Sequence, residues 1–93
     1  NANYFGHIFL SGNDLNKFDF QNFYICKEVL HLDLSFNKLN ALESILRKSA
    51  ESKVKYLNLK ANRIQFIPND FFVYFFKLNY LDLSSNLVKY LTL

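Results

Sequence analysis

Hydrophobic and polar positions along the chain follow one template that recurs four times: apolar, two variable, apolar, one variable, apolar, two variable, Asn, one variable, apolar. The copies read FGHIFLSGNDL from Phe5, VLHLDLSFNKL from Val29, VKYLNLKANRI from Val54 and LNYLDLSSNLV from Leu78, and each fills every template position. Their asparagines, Asn13, Asn37, Asn62 and Asn86, are 24, 25 and 24 residues apart. Self-similarity at such a period marks a stacked architecture, in which one unit cannot bury its apolar face alone.

Within the copies, Ile8-Phe9-Leu10, Leu32-Asp33-Leu34, Leu57-Asn58-Leu59 and Leu81-Asp82-Leu83 alternate as short strands do. The first and third side chains point inward and the middle one outward. One strand per repeat predicts a parallel sheet, and the period leaves room for the crossover of a dozen or more residues that parallel strands need. Asn follows where the chain leaves the strand. Its amide can pair backbone groups of its own turn and of the neighbouring one that burial would otherwise leave unsatisfied. Asn13, Asn37, Asn62 and Asn86 are therefore expected to form a structural ladder, with no catalytic part.

The segments that return between strands carry their own pattern. Phe20, Phe23, Cys26 and Val29 recur every third residue, as do Phe72, Phe75, Leu78 and Leu81, which predicts an inward Phe spine on the convex side. Cys26 aligns with Phe75 and reads as a buried small hydrophobe. Pro68 fixes a backbone angle where the chain leaves the third Asn turn. The middle return, ALESILRKSAESK from Ala41, places Leu42, Ile45, Leu46 and Ala50 on one stripe with Glu43, Arg47, Lys48 and Glu51 outside it. A short helix is expected there.

The motif LxxLxLxxNxL, four times in register, resembles the leucine-rich repeat superfamily over essentially the whole chain. The resemblance implies an α/β solenoid with a short parallel β-sheet on the concave face and irregular or helical returns on the convex one. Residues 1–93 then form a single segment of four repeats, about 5–28, 29–53, 54–77 and 78–93, read as a fragment of a longer solenoid. The form NRIQFIPNDFFVYFFKLNYLDLSSN from Asn62 looks like the typical 24-residue class. That class is common in secreted and cell-surface proteins, including Toll-like receptors and related innate-immune recognition proteins of animals. By resemblance, the expectation is a protein-binding module of an extracellular or cell-surface recognition receptor. The alternative is a cytoplasmic leucine-rich-repeat scaffold or assembly subunit, favoured by the lack of cysteine-rich caps and of any Asn-x-Ser/Thr acceptor. The chain begins at Asn1 and stops partway through a return at Leu93, so further repeats or a partner subunit are expected at its ends.

Composition narrows the classes further. The 93 residues are 51% hydrophobic and 20% charged, a globular balance. Eleven Phe and six Tyr stand against two Gly and one Pro, which suits stacked layers better than a loop-rich fold. No run reaches the ~18 apolar residues of a membrane span; the densest, Phe71 to Phe76, is six long. A lone cysteine forms no internal disulfide. Net charge is +3, with Arg47, Lys48, Lys53, Lys55, Lys60 and Arg63 gathered in one stretch that Glu51 offsets. No recognition motif interleaves them, and a solvated face accounts for them better than nucleic-acid binding.

Stacked in register, the variable strand positions become columns on the concave face, neighbours ~4.8 Å apart. One column reads His7, His31, Tyr56, Tyr80 and the next Phe9, Asp33, Asn58, Asp82. Beyond them lie Ser11, Ser35, Lys60, Ser84 and then Gly12, Phe36, Ala61, Ser85. Rings with polar tips are favoured at binding hot spots, although stacking between neighbours also serves the sheet itself. The expected partner-facing residues are His7, Phe9, His31, Asp33, Tyr56, Asn58, Lys60, Tyr80 and Asp82, with Tyr56, Tyr80, Asp33 and Asp82 central. His7 and His31 find no third and fourth ligand at short spacing, so neither a metal nor a cofactor is expected. Asp33 and Asp82, roughly 10 Å apart across two rungs, lack the apolar pocket that a carboxyl general acid needs. With no nucleophile elbow, phosphate-binding Gly loop, HExxH or CxxC, an enzyme is not expected.

Overall fold

The computed structural model of the chain describes residues 6–16, 29–40, 42, 52–68 and 71–91. In chain order the elements are β1 (His7–Phe9), β2 (His31–Asp33), β3 (Tyr56–Asn58), β4 (Phe66–Ile67), a helical turn α1 (Phe71–Tyr74), β5 (Tyr80–Asp82) and β6 (Tyr90–Leu91). Four of the strands form one parallel sheet in the order β1-β2-β3-β5. Its register joins like positions of the template: His7, His31, Tyr56 and Tyr80 in one line, and Ile8, Leu32, Leu57 and Leu81 in the next.

Each strand starts one residue earlier than side-chain alternation alone places it. Backbone pairing begins ahead of the first buried residue, since Leu30 and His31 N–H both donate to Gly6 O, and Lys55 and Tyr56 N–H to Leu30 O. Bonding also continues beyond the strands. Leu10, Leu34 and Leu59 N–H donate to the carbonyls of Asp33, Asn58 and Asp82 at 2.8–2.9 Å. Gly12, Phe36 and Ala61 N–H donate in the same way to Ser35, Lys60 and Ser84. The same bonds thus recur from rung to rung, as a constant template leads one to expect.

Behind the sheet, Leu32, Leu34, Leu57 and Leu59 are wholly buried, joined by Leu39, Ile64 and Ile67. Fully burying one such side chain is worth about 1.5–3 kcal/mol, so these aligned leucines hold the rungs together. Their counterparts in the outer rungs, Ile8, Leu10, Leu81 and Leu83, are half-buried and pack against the same cluster.

Asn side chains close the turns. Asn37 Oδ1 accepts from the N–H of Asn13 and of Leu15, both at 2.9 Å, while its Nδ2 donates to the carbonyls of Leu10, Leu34 and Ser35. Asn62 accepts from Leu39 N–H and donates to Leu34, Leu59 and Lys60 carbonyls. Asn86 repeats the pattern with Ile64 N–H and the carbonyls of Leu59, Leu83 and Ser84. Among the described residues, no buried side-chain polar atom is left unpaired. The residue before each Asn takes a left-handed backbone: Gly12 (φ 70°), Phe36 (56°), Ala61 (59°) and Ser85 (56°).

On the far side of the core, β4 pairs in parallel with β6, Phe66 with Tyr90 and Ile67 with Leu91. The Phe spine differs from its expected phase. Phe72 is exposed, and the buried rings are Phe71 and Phe75, 5.0 Å apart. Phe75 N–H donates to Phe71 O at 3.0 Å, a helical turn, and a helix places positions i and i+4 on one face where a three-residue count selects Phe72 instead. Leu78 is half-buried and Val29 buried. Phe20, Phe23 and Cys26 lie outside the described residues, as does the stretch expected to be helical after Ala41, except Leu42, which is buried. Among the described residues no helix is long and apolar enough to cross a membrane.

Candidate functional site

Strand alternation that sends the leucines inward sends His7, His31, Tyr56 and Tyr80 to the open face of the sheet. There they form a continuous stack. Ring centroids are 5.3 Å apart for His7–His31, 4.0 Å for His31–Tyr56 and 4.1 Å for Tyr56–Tyr80, the last pair within 1° of parallel. Rungs ~4.8 Å apart leave room for rings in van der Waals contact and nothing between them. Inner ring faces are therefore covered, and the column presents its ring edges and polar tips outward. Phe9 widens this surface: it is 62% exposed, with its ring 5.0 Å from that of His31.

The next column does a different task. Asp33 Oδ1 accepts from Ser35 N–H at 2.9 Å and from Ser35 Oγ–H at 2.6 Å. Asp82 Oδ1 does the same with Ser84, and Asn58 Oδ1 accepts from Lys60 N–H at 2.9 Å. An Asx side chain bonded to the backbone two residues on is a turn device, and here it shapes each exit from the strand just before the left-handed residue. One oxygen of each side chain is thus committed internally, which leaves Asp33 and Asp82 less for a partner than their place on the face suggests. The spacing D-x-S and N-x-K carried this signal in the sequence.

Electrostatics follow from the same contacts. The Ser84 hydroxyl and N–H hold the Asp82 carboxyl below its ordinary value, against an opposing push from burial. The Tyr80 hydroxyl donates to Asp82 Oδ2 at 3.3 Å. It is pushed up to about 12, first by hydrogen bonding with the Tyr56 hydroxyl, then by burial and by the charge of Asp82.

Lys60 sits with its Nζ 5.9 Å from the centre of the Phe36 ring. Phe36, more than half exposed at the margin of this face, joins the patch although hydrophobic patterning alone did not single it out. Of the basic stretch, Lys55 precedes β3, Lys60 follows it, and Arg63 lies beyond the Asn62 turn, its backbone N–H bonded to Leu39 O. Arg47, Lys48 and Glu51 lie outside the described residues. Among the described residues no three His, Cys, Asp or Glu side chains come together as metal ligands.

Residues 52–92, the third and fourth copies of the template, match the family described as leucine rich repeat. That match, over less than half of the chain, and the four-stranded parallel sheet fit a leucine-rich repeat fold. Such repeats are generally protein-interaction modules and not enzymes, so the fold suggests a protein-binding module. Neither the curated proteins nor the solved structures provide a match.

Proposed function

We propose that the chain is an α/β solenoid of four repeats, about 5–28, 29–53, 54–77 and 78–93, that binds a protein partner on its concave face. The observation that carries this reading is the unbroken aromatic surface of Phe9, His7, His31, Tyr56 and Tyr80 on the open face of the sheet. Contiguous apolar area turned to solvent and rimmed by polar groups is characteristic of interaction sites. Lys60, Asn58, Asp33 and Asp82 supply that rim. Asn37, Asn62 and Asn86 bond from rung to rung beneath it, and Asn13, the first of the ladder, bonds within its own turn.

The 24-residue spacing favours a part in an extracellular or cell-surface recognition receptor, of the innate-immune kind by resemblance. A cytoplasmic scaffold subunit is the second reading, favoured by the single cysteine; it uses the same face. The test is a displayed-peptide library selected against the immobilised chain. Replacing Tyr56 and Tyr80 together with Ala should weaken the selected binders at least roughly tenfold, the size expected for a hot spot, with an unchanged circular dichroism spectrum. Binders indifferent to both substitutions would place the site elsewhere.

A further inference from the structure

Phe36 is a bulky residue at a position that otherwise holds small ones. Its counterparts in the other rungs are Gly12, Ala61 and Ser85. It takes a left-handed backbone, φ 56°, which a side chain enters at a cost of about 1–2 kcal/mol, and it is 57% exposed. Small neighbours leave the ring standing clear of the face. Among the described residues the group over it is the Lys60 ammonium, 5.9 Å from its centre. Phe36 follows β2, which lies between β1 and β3, so its exposure belongs to the face and not to an edge of the sheet. A strained, bulky side chain that covers no core points to a functional role.

Two cations share this margin. Lys60 pairs with no carboxylate among the described residues, since Asp82 feels its charge but bonds to Ser84 and Tyr80. Arg63 is exposed and follows Asn62 as Asp14 and Lys38 follow Asn13 and Asn37. Between the first two of these rungs the charges match, with Lys38 Nζ 2.6 Å from Asp14 Oδ1. One rung on they do not. The bond from Arg63 N–H to Leu39 O sets Arg63 beside the Lys38 rung, and its counterpart in the following rung is the apolar Leu87. Among the described residues Arg63 has no acidic partner.

We infer that this margin docks an acidic segment of a protein partner, which packs an apolar side chain on Phe36 and pairs its carboxylates with Lys60 and Arg63. Guanidinium and carboxylate meet in a bidentate pair, and cations without acids of their own select a partner of opposite sign. Nucleic acid fits less well. A strand needs successive rings to stack on along a basic groove, whereas Phe36 is one ring with Lys60 over it. The surface borders the aromatic column, shares Lys60 with its rim, and extends beyond it to Phe36 and Arg63.

A displayed library of random peptides selected on the immobilised full chain tests it, and recovered peptides should be rich in Asp and Glu beside a large apolar residue. Phe36→Ser copies Ser85 at the same position, and Arg63→Gln removes a charge from an exposed one. Each should weaken the acidic peptides roughly tenfold, the size of a hot spot, with an unchanged circular dichroism spectrum. Arg63→Gln should also flatten the dependence of their binding on salt. Neither residue belongs to the column of Tyr56 and Tyr80. Binders lost when those two tyrosines become Ala, but indifferent to Phe36→Ser and Arg63→Gln, overturn this inference and leave the aromatic column standing; the opposite pattern upholds it and removes the column. Peptides without acidic enrichment overturn it as well. So does an oligothymidylate that displaces the peptides and is itself weakened by both substitutions, which would assign the surface to nucleic acid.

Discussion

The rings of Tyr56 and Tyr80 lie 4.1 Å apart and 1° from parallel, a geometry imposed by the register that sets the two residues opposite each other on adjacent strands. Because their facing surfaces are closed, a partner bound on this face as proposed would meet ring edges and hydroxyls. Offset or edge contacts suit a partner's aromatic side chain, since ring edges are the positive part of the quadrupole.

The same stack makes Tyr80 a reluctant acid. Its hydroxyl rises from 10.0 to about 12, with Tyr56 the first cause. A raised phenol contributes stability that is present below its unfolded value and lost as pH rises through the folded one. Tyrosinate absorbance of the wild type minus that of Tyr80→Phe should therefore show a step near 12, and Tyr56→Phe should bring that step down toward 10.0. A difference step already at the ordinary phenol value would mean that the hydroxyls do not interact.

Asn62 is the strongest single test of the ladder. It is buried, accepts from Leu39 N–H and donates to three carbonyls. Ala there strands several backbone groups, each costing about 1–3 kcal/mol when buried and unpaired, so Asn62→Ala should destabilise by about 3 kcal/mol or more in urea unfolding. Asn13→Ala, at an exposed position with one local bond, should cost under about 1 kcal/mol. Equal costs at the two sites would refute a graded ladder.

Much of this arrangement was legible in the chain, because a template that fixes Leu32, Leu57 and Leu81 at a constant period leaves a parallel stack as the economical way to bury them. The columns follow from that stack. What escaped is local. Phe71 and Phe72 are indistinguishable by hydrophobicity, and a single helical turn, too short for a periodic signal, decides which one is buried. The strands gain a residue at their start because pairing of Gly6 and Leu30 carbonyls is independent of side chain. The columns place Asp33 and Asp82 on the face but do not show the turn that each carboxylate ties.

The left-handed residue before each Asn yields a stability prediction. Only Gly12 occupies that conformation at no steric cost; Phe36, Ala61 and Ser85 carry a Cβ into it, at about 1–2 kcal/mol each. Ala61→Gly should raise stability by about 1 kcal/mol, the strain relieved exceeding the added freedom of the unfolded chain. Phe36→Gly should gain less, because it also removes the Lys60 contact. A loss of stability at Ala61 would show that the turn tolerates the Cβ without strain.

Asp82 separates charge from turn geometry, because the molecule already holds the control: Asn58 occupies the equivalent place on β3 and its Oδ1 accepts the same backbone bond, 2.9 Å from Lys60 N. Asp82→Asn should keep the turn and be close to neutral at pH 7, whereas Asp82→Ala should cost about 0.5–1.5 kcal/mol for the lost hydrogen bonding. The wild-type carboxyl is held low by Ser84, so its contribution is present above the ordinary value of 3.8 and lost as pH falls through the depressed one. Asn cannot titrate. Stability measured from neutral to acid pH should therefore fall more steeply in the wild type than in Asp82→Asn, and parallel curves would mean that the Ser84 contact does not distinguish the charged carboxylate from a neutral amide.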